Sequence, residues 1–247
     1  MPRPDAHPSP FTTMVALGES TVAGACASEE RFRWVNVVAD LISEFQGQPV
    51  TLHNRGIGAN AISPRSPGYP ASAKPSALER YREDVIALQP DLFVLSYGLN
   101  DMRAGMHPEE FREDMQAILS EVTAACNPVT VLTTVYHMSA YDLYPPYDRG
   151  SPAATRVYNE VIRQLAEANR CLLADIHDAQ AEADWTVHPD TVHANDLGHR
   201  LIGHRVFEVI ATNCSGVSAK VTADLQPAAL EVAQTMDERR RPQQYDG

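Results

Sequence analysis

Apolar positions along the chain fall into two alternating patterns. Five short runs are almost continuously apolar, and the clearest of them covers residues 91–97. Short apolar runs of this kind are typical of strands that are buried on both faces of a sheet. We therefore predict strands at residues 13–18, 50–53, 91–97, 129–135 and 171–176.

Between these runs, apolar residues recur every three or four positions, which is the spacing of one helix face. Phe32, Val35 and Ile42 show this spacing in the first such segment. Helices are predicted over residues 29–45, 78–88, 108–125 and 153–168, and a last one carries Leu197, Leu201, Ile202, Val206 and Ile210.

The alternation of strands and helices predicts the fold class. Crossover helices between successive strands make a sheet parallel and cover both of its faces. We predict a doubly wound (flavodoxin-like) three-layer α/β domain with a mostly five-stranded parallel sheet over residues 1–211. Residues 63–76 are dense in Pro, Ser and Gly and should form a loop. Residues 212–247 are assigned to a C-terminal extension that is helical over residues 228–236 and disordered at its polar end.

The composition narrows the classes of function. The chain has 247 residues, 44% of them hydrophobic, and can therefore bury a full core. Its formal net charge of −12 argues against a nucleic-acid partner, because a phosphate backbone needs a basic surface. The four cysteines are widely spaced without a CxxC pair, so neither a zinc knuckle nor a disulfide framework is indicated.

The sequence also bears on location. No run approaches the ~20 apolar residues that a membrane span needs. The start of the chain lacks the charged-then-apolar pattern of a signal peptide. We therefore expect a cytoplasmic, soluble protein without a membrane partner.

Four polar clusters follow, or lie near, the ends of predicted strands. They cover residues 18–20, 56–60, 98–101 and 190–193. The carboxyl ends of parallel strands share one edge of a sheet, which is where open α/β sheets bind their ligands. We expect the four clusters to meet in one crevice at that edge.

The clusters contain the residue types of nucleophilic catalysis. A serine nucleophile needs a base to take its proton, an acid to orient the base, and donors for the developing oxyanion. Ser20, His193 and Asp190 fit the first three roles. The neutral side-chain amide of Asn100 suits the fourth role. Ser20 taken alone is equally well explained as the N-cap of the following helix.

In order and spacing, the clusters resemble the sequence blocks of the SGNH hydrolase superfamily, the GDSL-type esterases and lipases. The resemblance covers residues 12–211, and residues 190–199 match the last block almost throughout. It implies a serine hydrolase that acts on ester bonds without a cofactor or a metal. It also implies a triad of Ser20, His193 and Asp190, with an oxyanion hole formed by the N–H groups of Ser20 and Ala59 and by the side chain of Asn100.

The sequence departs from the family pattern at two positions. Glu19 stands where the family usually has Asp, which is one methylene shorter. Ala59 stands where the second block usually has glycine, five residues after an asparagine such as Asn54. An alanine N–H can still serve as a donor if its dihedral angles permit, and a shifted turn would offer Gly58 instead.

Two other classes of function stay open. A metal-dependent hydrolase would use histidines and carboxylates, which are common metal ligands. The candidates that lie close in sequence are His188, Asp190, His193, His199 and His204. Their spacing matches no metal motif, and a structural or exposed role is expected for His199 and His204 on the last predicted helix. The second alternative is a non-catalytic binding module on the same fold.

The substrate is less well defined by the sequence. Residues 136–151 carry four tyrosines, which either line the pocket or pack a long loop down. The candidates for substrate contacts are Glu19, Arg65, Arg103, His137 and Tyr141. We expect hydrolysis of short acyl esters, such as O-acetyl groups on carbohydrates, through an acyl-enzyme. Thioesters and other lipid or aryl esters are the alternative substrates.

Overall fold

Five strands form one sheet in the computed structural model, which describes residues 4–141 and 143–240. The strands are β1 (Thr13–Gly18), β2 (Thr51–Gly56), β3 (Leu92–Ser96), β4 (Val129–Thr133) and β5 (Leu172–Ala174). Every neighbouring pair is parallel, and the strand order is β2-β1-β3-β4-β5. This is the flavodoxin-like order, so the predicted fold class is confirmed.

Helices connect the strands and cover both faces of the sheet. They are α1 (Ser20–Ala23), α2 (Trp34–Gln46), α3 (Tyr69–Ser72), α4 (Ala77–Asp84), α5 (Leu99–Ala104), α6 (Pro108–Cys126), α7 (Pro152–Asn169), α8 (Ile176–Gln180), α9 (Asp196–Ala211) and α10 (Ala219–Arg240). Helix α2 packs against α9, and α6 packs against α4 and α7. Short 3-10 turns lie at Glu30–Phe32, Ile86–Leu88, Asp184–Thr186 and Ser215–Ser218.

The core lies between the sheet and these two helix layers. The apolar residues of β1 and β3, including Met14, Leu17, Phe93 and Leu95, are completely buried. Each such side chain stabilises the fold by about 1.5–3 kcal/mol relative to an exposed position. The carboxyl ends of β1 and β3 are therefore held rigidly side by side.

The second strand is longer than predicted. The predicted strand ends at residue 53, but Asn54, Arg55 and Gly56 continue β2 and pair with residues 16–18 of β1. Because β2 is an edge strand, its residues are mostly half-buried. Polar side chains can therefore stay in contact with water while the backbone completes the parallel ladder.

Short helices account for most of the other differences from the predicted elements. Helix α3 lies inside the predicted loop 63–76, and α5 follows β3 in a stretch for which no helix was predicted. The predicted helix 29–45 begins only at Trp34, because Arg33 before it is extended with ψ 131°. A four- to six-residue helix is too short to show apolar periodicity in a sequence.

The C-terminal helix α10 begins at Ala219, well before the predicted residues 228–236. Its described side chains are mostly exposed, including Leu225 and Leu230. The predicted disordered end falls on residues 241–247, which lie outside the described residues. The division into residues 1–211 and 212–247 stays a prediction. Over the described ranges, none of the helices combines the length and the apolar character needed to cross a bilayer.

Candidate active site

Ser20 lies at the end of β1, at the first position of helix α1, and is 7% exposed. Two glycines allow α1 to pack this closely against the sheet. A Cβ on Gly18 would lie 2.3 Å from Val22 Cγ2 and 2.6 Å from the carbonyl oxygen of Ser96. A Cβ on Gly56 would lie 2.0 Å from the backbone nitrogen of Ala23. A larger residue at either position would clash with α1, the helix that begins with Ser20.

A chain of hydrogen bonds joins the three residues of the predicted triad. The Nε2 atom of His193 lies 2.8 Å from Ser20 Oγ, across a sequence separation of 173 residues. The Nδ1 atom of the same ring lies 2.6 Å from Asp190 Oδ2. With its proton on Nδ1, the ring presents a free Nε2 lone pair to the serine hydroxyl. This is the geometry that general-base activation of a serine requires.

The Asp190 carboxylate is fixed by donors from its own turn. Its Oδ1 accepts hydrogen bonds from the backbone N–H groups of Val192, at 3.0 Å, and His193, at 2.9 Å. Its Oδ2 also accepts a hydrogen bond from the thiol of Cys26 at 3.2 Å. Partial burial raises the pKa of Asp190, but the hydrogen bonds from His193, Val192 and Cys26 outweigh it and hold the pKa well below its ordinary value. Asp190 is therefore ionised at neutral pH.

His199 connects the helix that follows this turn to the segment that follows Ser20. Its Nε2 lies 3.0 Å from the carbonyl oxygen of Ala25, and its Nδ1 accepts a hydrogen bond from the Trp34 N–H at 3.4 Å. Burial lowers the pKa of His199, so the ring is neutral and can satisfy both contacts. His199 thus has the structural role that the sequence suggested, and it holds α9 against the segment that carries the serine.

Glu19 faces the interior rather than a substrate. It is 1% exposed, and its Oε1 accepts hydrogen bonds from the N–H groups of Gly98, at 3.0 Å, and Asn100, at 3.3 Å. Burial raises the pKa of Glu19 well above its ordinary value, and the charge of Asp101 raises it further. The prediction that Glu19 contacts substrate is therefore wrong. Its longer side chain instead supports the backbone that leads into α5.

The Asn100 side chain is 5% exposed and connects the beginning of α5 to the turn after β2. Its Nδ2 donates to the carbonyl oxygen of Asn60 at 3.0 Å. The next residue, Asp101, accepts a hydrogen bond from the Ile62 N–H at 3.1 Å, and burial raises the pKa of Asp101 to about 7. The turn that contains Ala59 is thus held against the beginning of α5 by two consecutive residues.

The backbone of the second block favours Ala59 as the equivalent of the family's glycine. Ala59 has a φ of +55°, in the left-handed region that glycine adopts most readily. Gly58 is not among the residues with positive φ, and its carbonyl accepts a hydrogen bond from Lys74 at 2.7 Å. The assignment of the oxyanion donor to Ala59 rather than Gly58 stays a prediction.

Arg65 is held by helix α6. Its guanidinium forms ion pairs with Asp114 and, at 2.9 Å, with Glu113. It also donates to the carbonyl oxygen of Glu110 at 3.0 Å. The prediction that Arg65 binds substrate is therefore not supported, because its donors already bind these acceptors.

The other predicted substrate contacts lie along residues 136–151 or beneath them. Arg103 is 5% exposed, and its guanidinium carbon lies 5.3 Å from the ring centroid of Tyr147. The Nε2 atom of His137 lies 2.9 Å from Asp184 Oδ1. The hydroxyl of Tyr141 lies 3.3 Å from Thr155 Oγ1. These contacts pack the segment down, and a role in substrate binding stays a prediction for Arg103, His137 and Tyr141.

The candidate metal ligands proposed from the sequence do not all come together. Both ring nitrogens of His199 contact backbone groups, of Ala25 and Trp34, and His204 is exposed on α9. The Nδ1 atom of His188 accepts a hydrogen bond from the Asp190 N–H at 3.2 Å. In the part of the chain that the structure describes, one group of three ligand-type side chains forms, and it consists of Cys26, Asp190 and His193.

Several contacts at the site were not predicted. Cys26 was considered only as a thiol, and no local spacing relates it to Asp190, 164 residues away. Tyr97 and Arg80 both donate to Asn60 Oδ1, at 2.6 Å and 3.3 Å. Tyr97 is the last residue of the clearest apolar run of the sequence, and this position was the signal that it is buried near the site.

Comparison with known proteins relates this geometry to established families. The sequence model of the GDSL-like lipase/acylhydrolase family matches residues 16–201. An acetylxylan esterase from Geobacillus stearothermophilus is 24% identical over 171 residues, which are 65% of this chain and 72% of that protein. A lipase/acylhydrolase structure from Enterococcus faecalis gives a TM-score of 0.64 at 18% identity, over 81% of this chain and 96% of that one. The structure of Axe2, an acetylxylan esterase from Geobacillus stearothermophilus, gives 0.61 at 21% identity, over 82% of this chain and 95% of that one.

Proposed function

The chain belongs to the GDSL-like lipase/acylhydrolase family, and from that premise we propose that it is a serine esterase that hydrolyses short acyl esters. The observation that carries the proposal is the continuous chain of hydrogen bonds from Ser20 through His193 to Asp190. A serine that only capped a helix would have no need of an oriented imidazole. A non-catalytic binding module would have no need of one either.

The proposed reaction proceeds in two halves. As Ser20 Oγ attacks the ester carbonyl carbon, its proton passes to Nε2 of His193, and Asp190 stabilises the resulting imidazolium. The tetrahedral intermediate then collapses, the bond to the alkoxy oxygen breaks, and the alcohol leaves with the proton from Nε2. Water repeats these steps on the acyl-enzyme, which releases the carboxylic acid and restores Ser20.

Three donors are proposed for the oxyanion. Ser20 is the first residue of a helix, so its N–H has no partner within that helix. The Asn100 amide uses one N–H on the carbonyl of Asn60, which orients the group and leaves its second N–H. The N–H of Ala59 is the third donor. Removing one such donor typically reduces kcat about 10²–10³-fold.

We propose an acetyl group on a carbohydrate as the substrate. Support comes from the relative named acetylxylan esterase and from exposed aromatic rings of the kind that contact sugars. Tyr144 is 62% exposed and Trp185 is 75% exposed. Thioesters and other lipid or aryl esters remain the alternative within the same reaction type.

A fluorophosphonate probe tests the nucleophile. We expect a single covalent adduct on Ser20, mapped by mass spectrometry, and no adduct in Ser20→Ala. A panel of p-nitrophenyl esters of increasing acyl length, acetylated xylo-oligosaccharides and an acyl thioester then tests the substrate. We expect acetyl esters to give the highest kcat/KM. An unlabelled Ser20 together with ester turnover retained in Ser20→Ala would refute the proposed mechanism.

A further inference from the structure

Cys26 contacts the proposed triad without a role in the reaction. Its Sγ lies 3.2 Å from Asp190 Oδ2, and ligand atoms of Cys26, Asp190 and His193 all lie within 4.8 Å of one another. We propose that these three side chains form a binding site for Zn²⁺ and that the bound ion inhibits the enzyme. The inhibition rests on the proposed function, whereas the binding of the ion does not.

The donor set has the chemistry that zinc prefers. A thiolate, an imidazole nitrogen and a carboxylate oxygen are its three usual protein ligands, and a fourth position is often left to water. Mg²⁺ and Ca²⁺ prefer oxygen ligands and would gain little from Cys26. The site should therefore discriminate in favour of zinc.

The present distances are close to those of a tetrahedral zinc site. With zinc bonds of about 2.0–2.3 Å, tetrahedral ligand atoms lie about 3.3–3.7 Å apart. The Sγ to Oδ2 distance is 3.2 Å, and the Nδ1 to Oδ2 distance is 2.6 Å. These two separations must therefore grow by about 1 Å or less, and the third, from Sγ to the ring nitrogen, is no more than 4.8 Å. Small side-chain rotations can provide such changes.

The backbone already holds the ligands together. Ser28, two residues after Cys26, donates from its N–H and its hydroxyl to the Asp196 carboxylate, at 2.8 Å and 2.6 Å. Asp196 begins the helix directly after the turn that carries Asp190 and His193. Because backbone N–H groups occupy Asp190 Oδ1, the carboxylate is oriented with Oδ2 directed to the other two ligands.

A bound ion would stop the reaction whichever ring nitrogen of His193 it used. Coordination at Nε2 removes the lone pair that accepts the proton of Ser20. Coordination at Nδ1 moves the ring proton to Nε2, so the ring cannot act as a base toward Ser20. In both cases the Cys26 thiol loses its proton to solvent as the zinc–sulfur bond forms, and the ring stays neutral.

The other described thiols lack such neighbours. Cys126 contacts the carbonyl oxygen of Ile86 at 3.8 Å, Cys171 contacts that of Asn169 at 3.9 Å, and Cys214 is 1% exposed. Cys126 and Cys26 are both half-buried thiols. Cys126→Ala is therefore a matched control for non-specific zinc binding.

The test measures p-nitrophenyl acetate hydrolysis against ZnCl₂ concentration for wild type, Cys26→Ala and Cys126→Ala. Each rate is normalised to that variant's own rate without metal. We expect wild type and Cys126→Ala to be inhibited equally, with full recovery on addition of EDTA, and Cys26→Ala to need at least tenfold more zinc. MgCl₂ at the same concentrations should have no effect. Equal zinc sensitivity of Cys26→Ala and wild type would overturn the proposal.

Direct binding separates this inference from the proposed function. Titration calorimetry with ZnCl₂ should give one site per chain in Ser20→Ala, which has no nucleophile, and a much weaker site in Ser20→Ala with Cys26→Ala. A chain that binds zinc through Cys26 but hydrolyses no ester would retain the site and refute the function. An active esterase whose zinc binding is unaffected by Cys26→Ala would retain the function and refute the site.

Discussion

Two regions flank the proposed nucleophile, and they use carboxyl groups in opposite ways. The exposed arm consists of Asp190 and His193, and its acid is held ionised by several donors. The buried layer consists of Glu19, Asn100 and Asp101, and there burial raises the pKa of both acids. The carboxylate proposed to orient the imidazole is thus kept charged near solvent. Glu19 and Asp101 instead accept hydrogen bonds from backbone N–H groups, and their burial costs free energy.

The difference follows from the surroundings of each acid. The Asp190 side chain is 35% exposed, and its oxygens accept four hydrogen bonds from Val192, His193 and Cys26. Glu19 and Asp101 are both almost completely buried, and the charge of Asp101 raises the pKa of Glu19 further because like charges repel. Loss of the His193 ring should therefore affect activity with little effect on folding, whereas changes in the layer should affect both.

The largest effect is expected from the exposed arm. His193→Ala removes the proposed base, so kcat should fall by about 10³–10⁶-fold. The ring is 22% exposed and outside the core, so the free energy of unfolding should change by less than about 1 kcal/mol. Steady-state kinetics and urea denaturation measure the two effects. A large loss of stability would show that the arm is part of the folding core.

Asn100→Ala should separate the buried layer from the arm. We expect kcat to fall about 10²–10³-fold, because a proposed oxyanion donor is lost. The buried carbonyl of Asn60 also loses its donor, which should destabilise the fold by roughly 1–3 kcal/mol.

Gln46→Ala is the matched control for this change. Gln46 is 4% exposed and bonds to the backbone of Phe11 at 2.9 Å and 2.8 Å, at the opposite end of β1. It should lower stability to a similar degree and leave kcat unchanged. If both variants lost kcat in the same proportion, the loss would reflect general destabilisation rather than a missing donor.

The smallest effect is expected in how the stability of two variants, Asp101→Asn and Asp190→Asn, changes with pH relative to wild type. The two changes should have opposite signs. Burial raises the pKa of Asp101 in the folded protein from 3.8 to about 7. Between these pH values the unfolded chain loses the Asp101 proton while the folded protein keeps it, so the stability of the wild type falls as pH rises. Asp101→Asn should therefore gain stability relative to wild type between those pH values. The pKa of Asp190 is lowered, so its contribution is complete above 3.8 and is lost at lower pH. The deficit of Asp190→Asn should shrink as the solution is acidified.

Urea denaturation over a series of pH values measures both differences. Slopes of the same sign for Asp101→Asn and Asp190→Asn would contradict the contrast between the two regions. Each slope describes how the stability difference between one variant and wild type changes with pH. A difference that is the same at every pH does not affect that slope.

The same contrast explains how much of the site the sequence could predict. Asp190 and His193 are three residues apart, and local spacing was enough to predict their contact. The contacts of the buried layer join residues that are 40 and 81 positions apart, as in the bonds from Asn100 to Asn60 and Glu19. Such contacts depend on strand register, which the sequence did not specify. For that reason Glu19 was assigned to the substrate and Cys26 to no role at the site.

The fold shows a similar division. Short apolar runs predicted the five strands, and the three- to four-residue spacing of apolar positions predicted the long helices. The alternation of the two patterns predicted the sheet type. The polar end of β2 was not recognised, because its pairing with β1 depends on the position at the sheet edge rather than on its own residues. Helices α1 and α5 escaped prediction because one turn shows no period, yet they carry Ser20 and Asn100.

The 173-residue separation between Ser20 and His193 has a consequence during protein synthesis. The ribosome makes about 5–20 residues per second, so about 9–35 s pass between the incorporation of the serine and that of the histidine. Throughout that interval the nascent chain carries the proposed nucleophile without its proposed base. Hydrolytic activity should therefore begin abruptly, once the turn that carries His193 has left the ribosome and α9 has docked beside Ser20.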